Sequence, residues 1–350
     1  MQEPIQSSSR VWGWGIIGTG NIATKFTEDL QYATGARKVA ICSREVKNAE
    51  AFSKAFEFEN AYSDMDAFLS DPNLDIVYIA TPHTAHVDQA LACINAGKAV
   101  LIEKPIAMTS SDVAIIQKAA QAKGVFVMEG MWSRFLPTIQ RAKAILESGQ
   151  LGKPLRAEVE LQYNREYDPD DRLFSPELGG GVLHDLAVYP ISISAYLLGA
   201  PKLVNSQWFA APNGVNTRAN FQLSCGGTKV GVKTSFDLTG ENCLTVFCEN
   251  GVLRVDRQFV RAKRLTIWDK PRPSIPKSYP SLLARALNKF GFHGGKKQQF
   301  ERMGTGLHYQ AAAVQAALGQ GLQSHPIMPL DDSAIALDII AEILETPAST

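Results

Sequence analysis

Short runs that are almost wholly apolar recur along the first third of the chain: "VWGWGII" (11–17), "KVAIC" (38–42), "DIVYIA" (75–80), "AVLIE" (99–103) and "VFVMEG" (125–130). Between them lie stretches of helical periodicity at 22–32, 47–57, 85–96 and 110–123. Continuous apolar strands separated by helices predict a parallel sheet covered on both faces. Ligands of such sheets bind outside the carboxyl ends of the strands. The fourth of these runs ends oddly, since "AVLIEKPIA" (99–107) places an acid and a base directly before a proline. A strand that stops at Glu103 and Lys104 stops where a ligand would begin.

After Gly130 the pattern changes. A helix is expected near 137–148, and "LRAEVELQY" (155–163) alternates as a half-buried strand. A glycine-rich turn and helix follow at 179–198. Strands are expected near 203–209, 217–223, 228–236, 242–248 and 251–256, with helices near 298–319 and 331–345. Strands in succession with short Gly or Asn turns predict a mostly antiparallel open sheet with helices on one face. The expected architecture is therefore α/β followed by α+β: a flexible tail at 1–10, a dinucleotide-binding Rossmann domain at 11–130, and a substrate-binding and oligomerisation domain at 131–350.

The chain has 350 residues, enough for two cores, and 35 basic residues balance 35 acidic ones. No charge excess points to nucleic acid or a membrane surface, no apolar run suggests a membrane span, and the polar start lacks the apolar stretch of a signal peptide. Cys42, Cys93, Cys225, Cys243 and Cys248 are scattered and odd in number, which predicts structural thiols in a reducing cytoplasm. No His, Cys and carboxylate cluster has metal-ligand spacing, so no metal is expected. Residues 270–300 depart from the rest in being Pro-rich, then helical and basic; a solvated flap or inter-subunit element is the simplest reading, and an anion or membrane-surface patch the other.

"GIIGTGNIATKF" (15–26) carries Gly18-x-Gly20-x-x-Ala23 between the first strand and a helix. Gly18 suits a tight turn, Gly20 a close backbone approach to a pyrophosphate, and Ala23 close helix–strand packing. With Thr19, Asn21 and Ile22, these residues form the expected phosphate loop at a helix N-terminus. The second strand ends in Cys42-Ser43-Arg44 where an NAD site usually has a carboxylate. A hydroxyl and a guanidinium suit a 2′-phosphate, so NADP is the expected cofactor, with NAD as the alternative.

In "GGGVLHDLAVYPISI" (179–193), Asp185 and Tyr189 are four apart and are expected on one helical face. This stretch, "EKP" at a strand end, the phosphate loop and "TPHTAH" (81–86) together resemble the glucose–fructose oxidoreductase and inositol dehydrogenase family, over nearly the whole chain. "MEGMWSRFLP" (128–137) and "RLFSPELGGGVLHDLAVYP" (172–190) are most similar to its dimeric dihydrodiol dehydrogenase and NADP-linked D-xylose dehydrogenase branch.

The resemblance implies an oxidoreductase that moves hydride between nicotinamide and a sugar, polyol or trans-dihydrodiol hydroxyl, or the matching carbonyl. It implies that Lys104, Asp185 and Tyr189 carry the chemistry. Tyr189 would exchange the hydroxyl proton, Lys104 would stabilise a phenolate and the developing alkoxide, and Asp185 would orient substrate or lysine. Many relatives carry His at the tyrosine's position, which leaves the proton-transfer role open between Lys104 and Tyr189. Thr81, Pro82 and His86 are implied on the nicotinamide side, although His86 reads equally as a helix-start or packing residue. Glu103 is expected to position Lys104 or touch the nicotinamide ribose, and Pro105 to follow a cis bond.

Trp132 is read as a pocket wall or as core, with Arg134, Tyr163 and Arg172 as further substrate-side candidates. His184 and Ala187 depart from the branch's usual residues and leave the pocket's shape open. Two other classes stand beside this reading: an NAD-dependent glycosidase of the same fold, and a non-catalytic dinucleotide-binding regulator. A small-molecule substrate and a homodimer or homotetramer complete the expectation.

Overall fold

The computed structural model describes residues 10–274 and 295–349. The greater part of the expected 1–10 tail, and residues 275–294 of the basic segment, lie outside the described residues. The chain forms two compact units, one of residues 1–135, 170–180 and 302–341, the other of 136–169, 181–301 and 342–350. The sequence reading placed one boundary after Gly130; here the chain returns to the first unit twice.

The first unit is built on a six-stranded parallel sheet. Its strands are β1 (Trp12–Ile17), β2 (Ala36–Cys42), β3 (Asn60–Tyr62), β4 (Ile76–Ile79), β5 (Ala99–Glu103) and β6 (Val127–Gly130), in the order β3-β2-β1-β4-β5-β6. The reversal between β1 and β4 is the switch point at which such sheets bind ligands. Every residue of β1, β4, β5 and β6 is buried, as a sheet covered on both faces requires. The helices are α1 (Asn21–Leu30), α2 (Val46–Phe56), α3 (Met65–Leu69), α4 (His86–Asn95) and α5 (Ser110–Lys123). The side chain of Thr109 caps α5 by accepting from Asp112 N, and Gly124, at φ 65°, ends it in the left-handed region. The short edge strand β3 and helix α3 escaped the hydrophobic pattern, since three half-buried residues give no period to read.

The second unit has α6 (Pro137–Glu147), β7 (Pro154–Gln162), α7 (Val188–Leu198), β8 (Pro201–Ala210), β9 (Asn216–Cys225), β10 (Thr228–Ser235), β11 (Leu244–Cys248), β12 (Val252–Val255), β13 (Arg264–Trp268) and β14 (Lys296–Gln299). Its sheet runs β14-β13-β12-β11-β7-β10-β9-β8, antiparallel throughout except for the β7–β10 pair. Ala157, Val159 and Leu161 alternate on the buried face of β7, in register with Val230 and Val232 on one side and Leu244 and Val246 on the other. Helices α6 and α7 pack on this sheet. On the opposite face Phe247, Val252 and Trp268 cluster, with the Arg156 guanidinium 3.5 Å above the Phe247 ring.

The expectation for the end of the chain is corrected. Strand β13 was missed, and the helix expected from 298 is strand β14 up to Gln299, followed by helix α8 (His308–Gly319) of the first unit and then α9 (Leu330–Glu345). The glycine-rich turn and helix expected at 179–198 are present, the helix opening in a π-helical turn, Leu183–Ala187, that runs into α7. Pro176–Leu198 is long and apolar enough to cross a membrane by length and composition only. Of its most apolar window, 72 % is buried inside the fold, as a core helix would be.

Helix α1 is anchored at its far end. Asp29, 1 % exposed, accepts hydrogen bonds from Thr305 N and Oγ1 (both 2.8 Å), Gly306 N and Leu307 N (both 2.7 Å), the residues leading into α8. Burial alone would raise its pKa; the donors and the nearby His308 ring overcome this and hold it at about 2. All five cysteines are buried and unpaired, and burial pushes the Cys93 and Cys225 thiols up to about 12.

Candidate active site

The expected phosphate loop lies between β1 and α1. Gly18 has φ 106°, and a Cβ there would meet the Ala80 carbonyl oxygen at 2.7 Å, so the turn admits glycine only. Gly20 is the N-cap of α1, no side chain caps that helix, and the space where its Cβ would stand is open. The first-turn amides thus face an unfilled approach, an arrangement that fits a pyrophosphate. The Gly18 amide donates to Cys42 O (2.9 Å), which brings the loop beside the end of β2. There Ser43 is half-buried and Arg44 exposed, while the Glu45 carboxylate pairs with Lys47 at 3.0 Å.

The loops after β4 and β5 are tied together. His86 is fully buried; its Nδ1 lies 2.9 Å from Pro105 O and its Nε2 3.0 Å from Thr81 O. Burial lowers its pKa, whereas the carbonyls of Thr81, Pro105 and Ile106 favour the proton. The ring bridges the two loops. Thr81 Oγ1 also donates to Gln89 Oε1.

The Lys104–Pro105 bond is cis, as the sequence reading expected. Glu103, 6 % exposed, accepts from the Tyr78 hydroxyl at 2.5 Å and from the Lys104 amide at 3.2 Å. Burial drives its pKa up to about 7, although the Tyr78 bond and the Lys104 charge act against the rise. The acid and base at the strand end therefore do different work. Glu103 is held inside, and Lys104 is half-buried at the carboxyl edge.

Trp132 is half-buried just past β6. Arg134, a substrate candidate from sequence, is fully buried, and one guanidinium nitrogen donates to Ile327 O (2.8 Å) and Asp332 (2.6 Å). Such contacts anchor the loop after β6 to the start of α9. Arg172 lies in the returning 170–180 segment, whose turn at Pro176–Leu178 packs beside His83–Ala85, and its charge disfavours a proton on His86.

These residues all belong to the first unit. Tyr163, Asp185 and Tyr189 belong to the second. Asp185 sits in the π-turn, its amide bonded to Gly181 O at 3.1 Å, and Tyr189, 9 % exposed, follows in the first turn of α7. Single π-turns are rare and recur at functional sites. The wider turn departs from the regular four-residue helical spacing expected for this pair. Tyr163 pairs through its amide with Ser235 O, and burial raises its phenol pKa.

Sequence reasoning gave no role to Glu129, which is 2 % exposed in β6 and accepts from Ile106 N (3.0 Å) and Ser333 Oγ (2.8 Å). The signal was present: "VFVMEG" breaks an apolar strand with an acid just as "AVLIE" does.

Residues 12–131 match the model of an oxidoreductase family with an NAD-binding Rossmann fold, and residues 139–254 match the C-terminal domain model of the same family, that of glucose–fructose oxidoreductase and inositol dehydrogenase. The chain belongs to this family. As a member of the glucose–fructose oxidoreductase family it is an NAD(P)-binding oxidoreductase.

Among curated relatives, the mouse trans-1,2-dihydrobenzene-1,2-diol dehydrogenase is 29 % identical over 337 residues, covering 95 % of this chain and 94 % of the mouse protein. The human enzyme of that name is 26 % identical, covering 94 % and 95 %. Similar solved structures include a 3-ketoreductase from Actinomadura kijaniata in complex with NADP (TM-score 0.79, 20 % identity, covering 96 % of this chain and 98 % of that one). A levoglucosan dehydrogenase in complex with NADH and L-sorbose has TM-score 0.82 and 19 % identity, covering 96 % of each chain. At these identities the structures establish the shared fold.

Proposed function

We propose that this chain transfers hydride between NADP and a secondary hydroxyl of a trans-dihydrodiol, sugar or polyol, or the matching carbonyl. The observation that carries the reading is Lys104, emerging at the carboxyl edge of the sheet whose first helix presents uncapped amides. The names of the curated relatives support the dihydrodiol among these substrates.

Ser43 and Arg44 at the end of β2 support NADP over NAD, because Arg offers a charge-assisted fork to a 2′-phosphate. The Glu45 charge, which would oppose that phosphate, is already paired with Lys47. Gly18, Thr19, Gly20, Asn21 and Ile22 would hold the pyrophosphate. The bound nicotinamide supplies the hydride acceptor or donor. Thr81 and Pro82 after β4 and Glu103 at the end of β5 would lie on the nicotinamide side, with His86 acting through the first two.

Lys104 is assigned the charge that stabilises the alkoxide developing at the substrate oxygen. Tyr189 is assigned the proton exchanged with that oxygen, and Asp185 the orientation of the substrate. Trp132, Tyr163 and Arg172 remain the residues assigned to substrate contact, with Arg134 reassigned to anchoring. Self-association through the second unit's sheet into a homodimer or homotetramer belongs to the same reading. Light scattering tests it, and a monomer at micromolar concentration ends it.

The deciding experiment follows absorbance at 340 nm with NADP or NAD, over trans-1,2-dihydrobenzene-1,2-diol, D-xylose and inositols. The expected result is turnover with at least one of them, about tenfold or more efficient with NADP, and a loss of about tenfold in NADP affinity in Arg44→Ala. Absence of turnover across the panel, or equal use of NAD, overturns the reading.

A further inference from the structure

The turn that carries Lys104 is held at each of its three residues by a different buried side chain. The Lys104 amide donates to Glu103 Oε2 (3.2 Å), the Pro105 carbonyl meets His86 Nδ1 (2.9 Å), and the Ile106 amide donates to Glu129 Oε1 (3.0 Å). Glu129 is itself fixed from the far side by Ser333 Oγ (2.8 Å), next to Asp332, which pairs with Arg134. We propose that Glu129 is a positioning residue for Lys104, acting through the hydrogen bond its Oε1 accepts from the Ile106 amide.

The chemistry of the carboxyl favours this mode over a charge effect. Burial raises the Glu129 pKa, against the Ser333 and Ile106 bonds and the charges of Arg134 and Lys104; Glu103 is the facing acid. The Ile106 amide needs only an acceptor at Oε1, charged or neutral, while Ser333 Oγ holds the other oxygen. An amide of the same shape therefore preserves the contact that matters. A 1 Å displacement of a reacting group can cost about a hundredfold in rate, so a turn loosened at Ile106 is felt at Lys104.

The test compares Glu129→Gln and Glu129→Ala in the full chain, by amide hydrogen exchange and, resting on the function proposed above, by steady-state kinetics with NADP and trans-1,2-dihydrobenzene-1,2-diol. In Glu129→Ala the Ile106 amide is expected to exchange at least about tenfold faster, while protection in β1 and β4 is unchanged. Its kcat should fall at least about tenfold with the KM for NADP within about twofold. Glu129→Gln should restore both to within about threefold.

Unchanged Ile106 exchange in Glu129→Ala overturns the proposal, as does a Gln variant no better than Ala, which would assign the effect to charge. Glu129→Met, which fills the volume without an acceptor, replaces Ala if that variant does not fold. Exchange is read without substrate. A wild type that turns over none of the substrates therefore sinks the function reading alone, and the exchange result still decides this one.

Discussion

Asp29 and Glu103 are both acids withdrawn from water inside the first unit, at 1 % and 6 % exposure, yet their carboxyls are driven in opposite directions. Burial raises both. Around Asp29 the His308 ring and four donors from Thr305, Gly306 and Leu307 close on one carboxylate and hold its pKa at about 2. Around Glu103 there are one hydroxyl and one amide, and its pKa rises to about 7. The balance of hydrogen-bond partners against burial sets the direction of each shift. The first arrangement belongs to a joint, where α1 is bolted to the entry of α8. The second belongs to the proposed working edge, where Glu103 is followed directly by Lys104.

The largest expected effect sharpens the working-edge half of that contrast. Lys104→Met should lower turnover at least about hundredfold while NADP still binds, measured by single-turnover kinetics and cofactor titration. It also removes a charge that holds the Glu103 carboxyl down, so Glu103 should move further up. Asp29→Asn should do the reverse, leaving chemistry nearly intact and costing stability. Two backbone amides, the Thr305 hydroxyl and a third amide would lose a charged acceptor, worth about 2–3 kcal/mol in urea unfolding. The wild type's contribution from Asp29 is present above the ordinary value of 3.8 and is lost as pH falls towards about 2, so the variant should lack that acid-induced loss.

How far the sequence revealed these two regions differs for a physical reason. The working edge was largely legible: the apolar run ending in Glu103, with "EKP" and the phosphate loop, announces charge at the carboxyl ends of strands, although Glu129 was passed over. Local pattern suffices there, because every such residue adjoins its own strand. The joint was not legible, since Asp29 reads as one more acid on an amphipathic helix and its donors lie more than 270 positions away. Residues 170–180 and 302–341 were assigned elsewhere for the same reason, since returning to a unit leaves no period in the chain. The π-turn at Leu183–Ala187 and the short strand β14 are likewise tertiary choices: three glycines open the first, and pairing with β13 makes the second.

The contrast also predicts opposite pH slopes. Glu103 binds its proton more tightly when folded, so its contribution is complete below the ordinary value of 4.5 and is lost as pH rises through about 7. Wild-type stability should therefore decline between about pH 5 and 8, with a slope of at most about 1.4 kcal/mol per pH unit from this group. Glu103→Gln should flatten that decline in urea titrations at several pH values. An unchanged slope in the variant would mean that Glu103 is no different from a surface acid.

Thr305→Ala gives the smallest effect and the finest cut. It removes a single donor, Oγ1 to Asp29 Oδ2, and leaves the three backbone amides in place. If donor supply is what holds Asp29 down, the loss of one should cost about 1 kcal/mol and move the acid unfolding transition to slightly higher pH. If depth alone decided the matter, the variant would unfold in acid where the wild type does, because the alanine leaves Asp29 as buried as before. Acid titrations of the two proteins, followed by tryptophan fluorescence, separate these outcomes without any need for the substrate.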